Sequence, residues 1–384
     1  MENPMHSTAW RIHNPQGRRR VVVTKELPGR RWLELLEAAD CRVEIGTATE
    51  VLSTDAIAAA IGAQCDGAIG QLTERWGDAL FEALQQAGGR VYSNYAVGYD
   101  NVDLAAATRR GIAVGNTPGV LTEATAEMAV ALTLAAARRI GEAERYLRAG
   151  RFTGWLPGLL LGELLQGKTL GVVGAGRIGT AYARMMAQGH GMHVIYHSRR
   201  PHPDLAEAIA AFSAFRVSRG DPALTCRRAE SLEDLLQSSD CVSLHTVLDA
   251  ATRHLIDARH LALMKANAVL INTSRGPVIK EDDLVAHCRA HPDFRAGLDV
   301  FENEPELTEG LRDLENVVIV PHIASATRWT RQGMAILAAA NVAGFLSGDP
   351  VWSKSDMRPF FEDPPPRAVP SLLNARPLGL TRMA

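Results

Sequence analysis

The segment from Lys168 to Gly179 constrains the fold of this 384-residue chain more than any other part of it. It reads KTLGVVGAGRIG, an apolar strand pattern that runs into the spacing GxGxxG and then into a helical pattern. Gly174 permits a tight turn, Gly176 lets a pyrophosphate approach the backbone, and Gly179 lets the helix pack closely on the strand. With a second strand pattern close behind, the segment predicts a dinucleotide-binding unit.

Short β-rich runs alternate with helical patterns on both sides of this segment, which is typical of parallel sheets covered by helices. The stretch 121–147, rich in Ala and Leu, predicts one long helix between two such series, and 327–346 predicts a final helix. Predicted strands lie at 21–24, 41–45, 66–70, 90–94 and 112–116 in the first series and at 169–173, 192–196, 240–244, 268–272, 294–298 and 317–320 in the second. We therefore expect an α/β protein with two doubly wound parallel-sheet domains.

Length, charge and cysteine content limit the function. With 384 residues, 46% of them hydrophobic, the chain is long enough for two cores. Its 41 basic and 43 acidic residues nearly cancel, so we expect no nucleic-acid or membrane partner and instead a small-molecule ligand. The five cysteines form no CxxC pair, which argues against a disulfide framework and a zinc site and favours a reducing compartment. The Pro-rich segment 363–384, part of a C-terminal tail at 351–384, is predicted to wrap a surface and to carry no core.

Three motifs in the C-terminal half each place a reactive residue directly after a predicted strand, where ligands collect in open α/β sheets. They are INTSRG at 271–276, GLDVFENEP at 297–305 and VIVPHIASAT at 318–327. Arg275 offers a planar fork that binds a carboxylate through two hydrogen bonds. His322 can donate a proton near neutral pH, and a carboxylate such as Glu304 would orient its ring and stabilise the imidazolium.

The residues after the strand at 192–196 bear on the choice of cofactor. Dinucleotide enzymes that use NAD commonly place an acidic residue there to bind the ribose hydroxyls. This chain has Ser198 instead, followed by Arg199 and Arg200. The combination suits a 2′-phosphate, so NADP(H) is the predicted cofactor and NAD(H) the alternative.

Taken together, the motifs resemble those of the D-isomer-specific 2-hydroxyacid dehydrogenases, and within them most closely the plant hydroxypyruvate reductases (glycerate dehydrogenases) of photorespiration. The likeness runs from about Asn14 to Leu380. Besides the segments above, it includes CDGAIGQLTE at 65–74, AVGYDNVD at 96–103, GIAVGNTPGVLTEATAE at 111–127, GWLP at 154–157, GVVGAGRIGTAYARMM at 171–186 and NTSRGPVI at 272–279.

The resemblance implies an activity and a set of site residues. The expected reaction is NAD(P)H-dependent reduction of hydroxypyruvate to D-glycerate and of glyoxylate to glycolate, without a metal. Arg275 and the backbone amides of Val97 and Gly98 would bind the substrate carboxylate, and the Glu304–His322 pair would protonate the keto oxygen. The expected cofactor-binding residues are Gly174, Gly176, Arg177, Ile178, Gly179, Ser198, Arg199, Arg200, Thr125, Thr273 and Asp299.

The resemblance also implies a domain arrangement and an assembly. A Rossmann cofactor domain, 118–323, would be inserted into a discontinuous flavodoxin-like substrate domain, 14–117 plus 324–350. The region 121–147 would help to form a homodimer. Trp155 is open to two interpretations, as an interface residue or as a lid over the substrate.

Alternatives stay open at this point. Phosphoglycerate dehydrogenase is the nearest rival, and formate dehydrogenase is disfavoured because its relay uses glutamine where this chain has Glu304. A dinucleotide-sensing co-repressor is the rival from a different class. Two departures from the plant enzymes matter: those enzymes have aspartate at the position of Ser198, and they end in a peroxisomal tripeptide, whereas this sequence ends in LTRMA. We therefore predict a cytoplasmic enzyme, with an organelle of a photosynthetic eukaryote as the alternative.

Overall fold

The computed structural model describes residues 10–381, and the chain divides into two compact units. The first unit comprises the chain up to Leu121 and again from Ala326 onward, and the second spans Thr122–Ser325. The predicted domain boundaries, 117/118 and 323/324, each lie a few residues from a boundary between the two units. The segment after 350 belongs to the first unit and is not a separate tail.

A six-stranded sheet forms the centre of the first unit, in the order β1-β3-β2-β4-β5-β6. Its strands are β1 Trp10–His13, β2 Arg19–Val23, β3 Cys41–Gly46, β4 Gly67–Gly70, β5 Val91–Asn94 and β6 Ala113–Gly115. Only β1 runs antiparallel, beside β3. The five parallel strands have the flavodoxin-like order. Val21, Val22 and Val23 are wholly buried, as a continuous apolar run in a sheet covered on both faces should be.

Helices cover this sheet. They are α1 Arg31–Ala38, α2 Thr54–Ile61, α3 Asp78–Gln86, α4 Leu104–Arg109 and, from the C-terminal part of the chain, α12 Arg328–Ser347. Thr327 caps α12 by accepting a hydrogen bond from the backbone N–H of Thr330. The helix packs against α1 and β5 and has twelve buried residues, so it is a core element of the unit.

The second unit contains a parallel seven-stranded sheet in the order β13-β12-β11-β10-β7-β8-β9. Its strands are β7 Thr169–Val173, β8 His193–His197, β9 Cys226–Arg228, β10 Cys241–Leu244, β11 Val269–Asn272, β12 Arg295–Leu298 and β13 Val317–Ile319. This is the Rossmann order with one further strand, and its crevice lies where the chain switches between β7 and β10. The predicted fold class, with two doubly wound sheets, is confirmed.

The second unit has seven helices: α5 Thr122–Ala137, α6 Ile140–Arg148, α7 Arg177–His190, α8 Pro203–Ser218, α9 Leu232–Ser238, α10 Ala258–Leu261 and α11 Glu281–Ala290. The prediction of one helix over 121–147 was wrong. The chain breaks at Arg139, which has a left-handed backbone with φ 54°. The carbonyl of Ala137 bonds to the backbone N–H of Glu163 (2.8 Å), so a returning segment satisfies the end of α5.

The prediction that the Pro-rich segment 363–384 carries no core was also wrong, since Val369 and Leu372 are buried. Val351 and Phe360, earlier in the C-terminal segment, are buried as well. The segment pairs with the edge strand β6, since the N–H of Leu373 donates to the carbonyl of Val114 (2.8 Å). Covering an open strand edge satisfies backbone groups that would otherwise be exposed, and this explains why a Pro-rich sequence is held in place.

Two strands were not predicted, β1 and β9. Each is a short edge strand, and in β9 the pattern Cys226-Arg227-Arg228 offers no buried apolar run. Within residues 10–381 no helix is long and apolar enough to cross a membrane. In the same residues no group of three or more His, Cys, Asp or Glu side chains could hold a metal ion, and all five cysteines are free thiols.

Candidate active site

The glycine-rich turn joins β7 to α7. Gly174 has φ 94°, a conformation that favours glycine, and a Cβ there would lie 2.6 Å from the carbonyl oxygen of His245. A Cβ on Gly179 would overlap the carbonyl oxygen of Gly174, so helix and strand touch through glycine. At Gly176, apart from the adjoining backbone, no described atom lies within 4 Å of a Cβ. This open space at the start of α7 fits a dinucleotide phosphate on the free N–H groups of the helix.

A cavity of about 770 Å³ runs along α7 to the start of α8. Its lining includes Gly176 and the exposed Arg177, and Ile178 is half-buried beside them. Neither Arg275 nor His322 lines this cavity. It therefore adjoins the glycine-rich turn and is separate from the catalytic motifs.

The loop after β8 carries the residues predicted to distinguish the two cofactors. Ser198 is half-buried and its hydroxyl donates to the carbonyl of Arg200 (2.6 Å), while Arg199 and Arg200 are exposed. Arg228, at the end of β9, donates to the carbonyls of Ser198 (2.7 Å) and Arg199 (3.4 Å). The guanidinium groups of Arg199 and Arg200 thus belong to this loop, and that of Arg228 bonds to its backbone.

The catalytic motifs meet at the carboxyl ends of β12 and β13. His322 Nδ1 lies 2.8 Å from Glu304 Oε2, and the two side chains are 25% and 27% exposed. The other oxygen of Glu304 accepts the backbone N–H of Phe301 (2.9 Å). Burial alone raises the pKa of the Glu304 carboxyl. The hydrogen bond and charge of His322, the Phe301 N–H and the charge of Arg275 outweigh burial and leave this pKa below its ordinary value. The pair therefore holds a carboxylate against an imidazole.

Asp299, immediately after β12, fixes the segment that carries His322. Its side chain is wholly buried and accepts the N–H groups of Ile323 (2.6 Å) and Ala324 (2.9 Å), while its carbonyl accepts the N–H of His322 (2.8 Å). Burial raises the pKa of this carboxyl, although the two N–H groups and His322 oppose the rise. Asp299 thus anchors the His322 backbone, in addition to its expected place near the nicotinamide.

Arg275 is half-buried at the end of a turn that Asn272 organises. The Asn272 side chain accepts from Ser274 N (3.0 Å) and donates to the carbonyl of Arg275 (2.9 Å), and one guanidinium nitrogen of Arg275 donates to the carbonyl of Ser274 (2.8 Å). The next residue, Gly276, has no room for a side chain because a Cβ would overlap the carbonyl oxygen of Phe301. The Arg275 turn and the Glu304 loop are therefore in direct backbone contact.

A second pair of carboxylates ties the Glu304 loop to α11. Glu302 accepts the N–H of Glu281 (3.1 Å) and Glu281 accepts the N–H of Glu302 (2.7 Å). The Glu302 side chain also bonds to His254 Nε2 (2.5 Å), and Thr308 donates to Glu281 (2.6 Å). These contacts restrict the loop through Glu302, two residues before Glu304.

Among the other predicted residues, Thr125 and Thr273 are buried, and the Thr273 hydroxyl has no hydrogen-bond partner among the described residues. Val97 and Gly98 belong to the first unit, in the loop after β5, and are half-buried. The structure thus brings Asp299, Glu304 and His322 into contact. Sequence reasoning missed Arg228, Asn272 and Glu302, although the Asn of NTSRG could have indicated a turn.

The chain belongs to the D-isomer specific 2-hydroxyacid dehydrogenase family, whose NAD-binding domain matches residues 130–324. It is therefore an oxidoreductase that uses a nicotinamide dinucleotide, and the family predicted from the sequence motifs is confirmed. Reliance on a dinucleotide fits the open space at Gly176.

Relatives and solved structures support the assignment over the whole chain. A glycerate dehydrogenase from Cucumis sativus is 54% identical over 99% of this chain and 100% of its own length. A peroxisomal glycerate dehydrogenase from Arabidopsis thaliana is 52% identical over 96% of this chain and 97% of its own. An NADPH-dependent glyoxylate/hydroxypyruvate reductase from Sinorhizobium meliloti, solved with NADP and malonate, has a TM-score of 0.69 and 30% identity, covering 87% of this chain and 95% of that one.

Proposed function

We propose that this protein reduces hydroxypyruvate to D-glycerate and glyoxylate to glycolate with a reduced nicotinamide cofactor. The observation that carries the proposal is the Glu304–His322 pair, 2.8 Å apart at the carboxyl ends of the Rossmann strands, with Arg275 on the adjoining turn. Relatives described as glycerate dehydrogenases match nearly the full chain, which favours the same substrates here.

Each residue of the site has a distinct task in this reaction. Bound reduced nicotinamide would supply the hydride to the keto carbon. Arg275 holds the substrate carboxylate, a group for which the family resemblance also implies the backbone amides of Val97 and Gly98. His322 donates its proton to the keto oxygen, and the charge of Glu304 keeps the imidazolium available and the ring oriented. The cation of Arg275 and the imidazolium both stabilise the alkoxide that develops.

The test is a panel of 2-keto acids, namely hydroxypyruvate, glyoxylate, pyruvate and phosphohydroxypyruvate, assayed by the absorbance of each reduced cofactor. We expect the highest kcat/KM with hydroxypyruvate and clear turnover of glyoxylate. A preference for phosphohydroxypyruvate would indicate a phosphoglycerate dehydrogenase. Cofactor binding without turnover of any acid would indicate a dinucleotide-sensing protein.

We further propose that NADP(H) is the preferred cofactor and that NAD(H) is used less well. An aspartate at position 198 would repel a 2′-phosphate, and Ser198 does not. Arg199 and Arg200 are exposed, and a charge-assisted hydrogen bond from either is worth ~1.5–3 kcal/mol, or about tenfold or more in preference. Measuring kcat/KM with both cofactors, in the parent and in Ser198→Asp/Arg199→Ala, tests this. A parent that prefers NADH contradicts the assignment.

A homodimer built on the region 121–147 is also proposed, with its surface extended by the exposed apolar side chains that follow α6. Seven large apolar side chains are exposed between residues 140 and 164. They are Ile140, Leu147, Phe152, Trp155, Leu156, Leu161 and Leu164, with Trp155 81% exposed. Such a concentration marks an interaction surface in a soluble protein, and a second copy of the chain would bury it. A monomeric mass by light scattering at micromolar concentration would contradict the proposal.

The compartment is still a prediction. The cytoplasm is the first expectation and a plant-type organelle the alternative, which the peroxisomal relative from Arabidopsis favours. Localising the full chain with a fluorescent tag placed internally, in an exposed loop, separates the two.

A further inference from the structure

Two asparagine side chains hold the loop that follows β5. Asn116 donates to the carbonyl of Val97 and Asn94 donates to the carbonyl of Gly98, each at 2.9 Å. In a trans peptide the C=O and the following N–H point to opposite sides. The N–H groups of Gly98 and Tyr99 therefore point away from the asparagines, and neither bonds to another group in the described part of the chain. Adjacent free N–H groups of this kind bind anions.

Asn116 is in turn fixed by the C-terminal segment. The Ser371 hydroxyl donates to Asn116 Oδ1 (2.6 Å), and Asn116 is 5% exposed. With its oxygen occupied by Ser371, the amide presents its nitrogen to Val97. A flipped amide would instead place oxygen against the Val97 carbonyl, leaving two acceptors face to face.

Ser371 itself is held by α12. Asn341, wholly buried in that helix, accepts the backbone N–H of Ser371 (2.9 Å) and donates to the carbonyl of Asn116 (2.9 Å). The approach is close enough that a Cβ on Gly115 would lie 2.6 Å from Asn341 Nδ2. The position of Ser371 relative to Asn116 is therefore set by two buried hydrogen bonds.

Asn94 has its own supports. Its oxygen accepts from the hydroxyl of Tyr92 (2.9 Å) and from Asn101 (3.2 Å), so its nitrogen is also directed to the Gly98 carbonyl. Both carbonyls of the loop are thus tied to side chains whose orientation is determined elsewhere in the unit.

We propose that Ser371 is a positioning residue for substrate binding, acting through Asn116 to aim the N–H groups of Gly98 and Tyr99 at the carboxylate of the 2-keto acid. The inference rests on the proposed function, in which this loop binds that carboxylate, and it assigns the N–H groups of Gly98 and Tyr99 where the resemblance implies those of Val97 and Gly98. The carboxylate has the same charge in the ground state and in the transition state, so losing the support should weaken binding more than turnover.

The experiment compares Ser371→Ala with Ser371→Thr, which keeps a hydroxyl at this half-buried position, and with Ser353→Ala, which removes an exposed hydroxyl from the same segment. Oxamate, a non-reducible analogue of a 2-keto acid, is the probe of the carboxylate site. For Ser371→Ala we expect KM for hydroxypyruvate and Ki for oxamate to rise roughly 3- to 10-fold, the range for losing one neutral hydrogen bond. The KM for the cofactor and kcat should stay within about twofold, and Ser371→Thr should restore both constants.

Asn116→Ala, which removes the donor to Val97 itself, should raise the same two constants at least as much. An unchanged oxamate Ki in Ser371→Ala overturns the proposal. So does a fall in kcat with unchanged KM, because that pattern reports a loss of folded enzyme. Arg275→Lys, measured beside them, distinguishes failure of this inference from failure of the proposed function. If Arg275→Lys raises the oxamate Ki and Ser371→Ala does not, only this inference fails. If neither variant raises it, the proposed carboxylate site is wrong.

Discussion

Replacing Glu304 by glutamine removes the charge beside His322 while keeping the size of the side chain. The amide oxygen can still accept the N–H of Phe301, which now bonds to Glu304 Oε1 at 2.9 Å. The amide nitrogen then occupies the position of the oxygen that lies 2.8 Å from His322 Nδ1. The ring keeps a neighbour at the same distance but loses the anion that stabilises its protonated form.

The size of the effect follows from the environment of the pair. Both side chains are about three-quarters buried, so solvent screens the interaction only partly. Burial raises the pKa of Glu304, but the hydrogen bond and charge of His322 outweigh it and hold this pKa below the ordinary range, so the group is a carboxylate at working pH. A hydrogen bond to a charged group contributes ~1.5–3 kcal/mol, which is roughly 10- to 100-fold in rate.

The loss should depend on pH through Glu304. Burial raises the pKa of this carboxyl, but His322, the Phe301 N–H and Arg275 hold it below its ordinary value. At neutral pH the parent carries the charge and the variant does not, so the full difference of roughly 10- to 100-fold in kcat/KM should appear there. As pH falls through the lowered pKa of Glu304, the parent loses the charge as well and the difference should shrink.

The assay is kcat/KM for hydroxypyruvate between about pH 4 and pH 8, which runs from the ordinary range of a glutamate carboxyl to above neutrality. Glu306→Gln is the matched control, since it removes an exposed carboxylate two residues further along the same loop. A Glu304→Gln profile that coincides with those of the parent and of Glu306→Gln would show that Glu304 has no part in the proton transfer.

Three further substitutions test the neighbouring parts of the site. Arg275→Lys should lower kcat/KM by roughly 10- to 100-fold, because lysine cannot form the paired hydrogen bonds to a carboxylate, and unchanged kcat and KM would remove Arg275 from the site. His322→Gln should fold and bind cofactor but lose reduction by ~10²-fold or more, and near-parental turnover would exclude it as the general acid. Gly276→Ala forces a Cβ onto the Phe301 carbonyl, so it should destabilise folding by about 1–3 kcal/mol and lower the melting temperature by several degrees; a parental melting temperature would contradict the close contact.

Most strands of the fold could be predicted because two features of the sequence mark them. Runs such as Val21–Val23 are apolar at every position, as buried parallel strands require, and turn residues or helical patterns bound them. The edge strand β9 has no such run, since only one side of it pairs and its arginines reach solvent. The break after α5 escaped prediction for a different reason: the carbonyl that ends the helix is satisfied by Glu163, a residue that follows long after the break.

The residues of the catalytic pair could be predicted because each directly follows a strand, and the ends of parallel strands meet at one edge. Their close approach, 2.8 Å between Glu304 and His322, depends on contacts that the motifs do not reveal. The side chains of Glu302 and Glu281 each accept the backbone N–H of the other, and Gly276 leaves room for the carbonyl of Phe301. These contacts hold the loop in place. In the sequence, Glu302 is one acidic residue among several.

The residue type alone does not distinguish a polar residue that positions a loop from one that contacts only water. Its hydrogen-bond partner distinguishes the two. Ser371 lies 255 residues from Asn116, and no local pattern connects them. The partner is supplied by α12 and β6, which bring the C-terminal segment against the first sheet. Removing the donor of such a hydrogen bond leaves its acceptor unsatisfied at a cost of about 1–3 kcal/mol, although no sequence motif marks the donor. Residues of this kind are therefore found by following the carbonyls of a functional loop to their donors, which requires the structure.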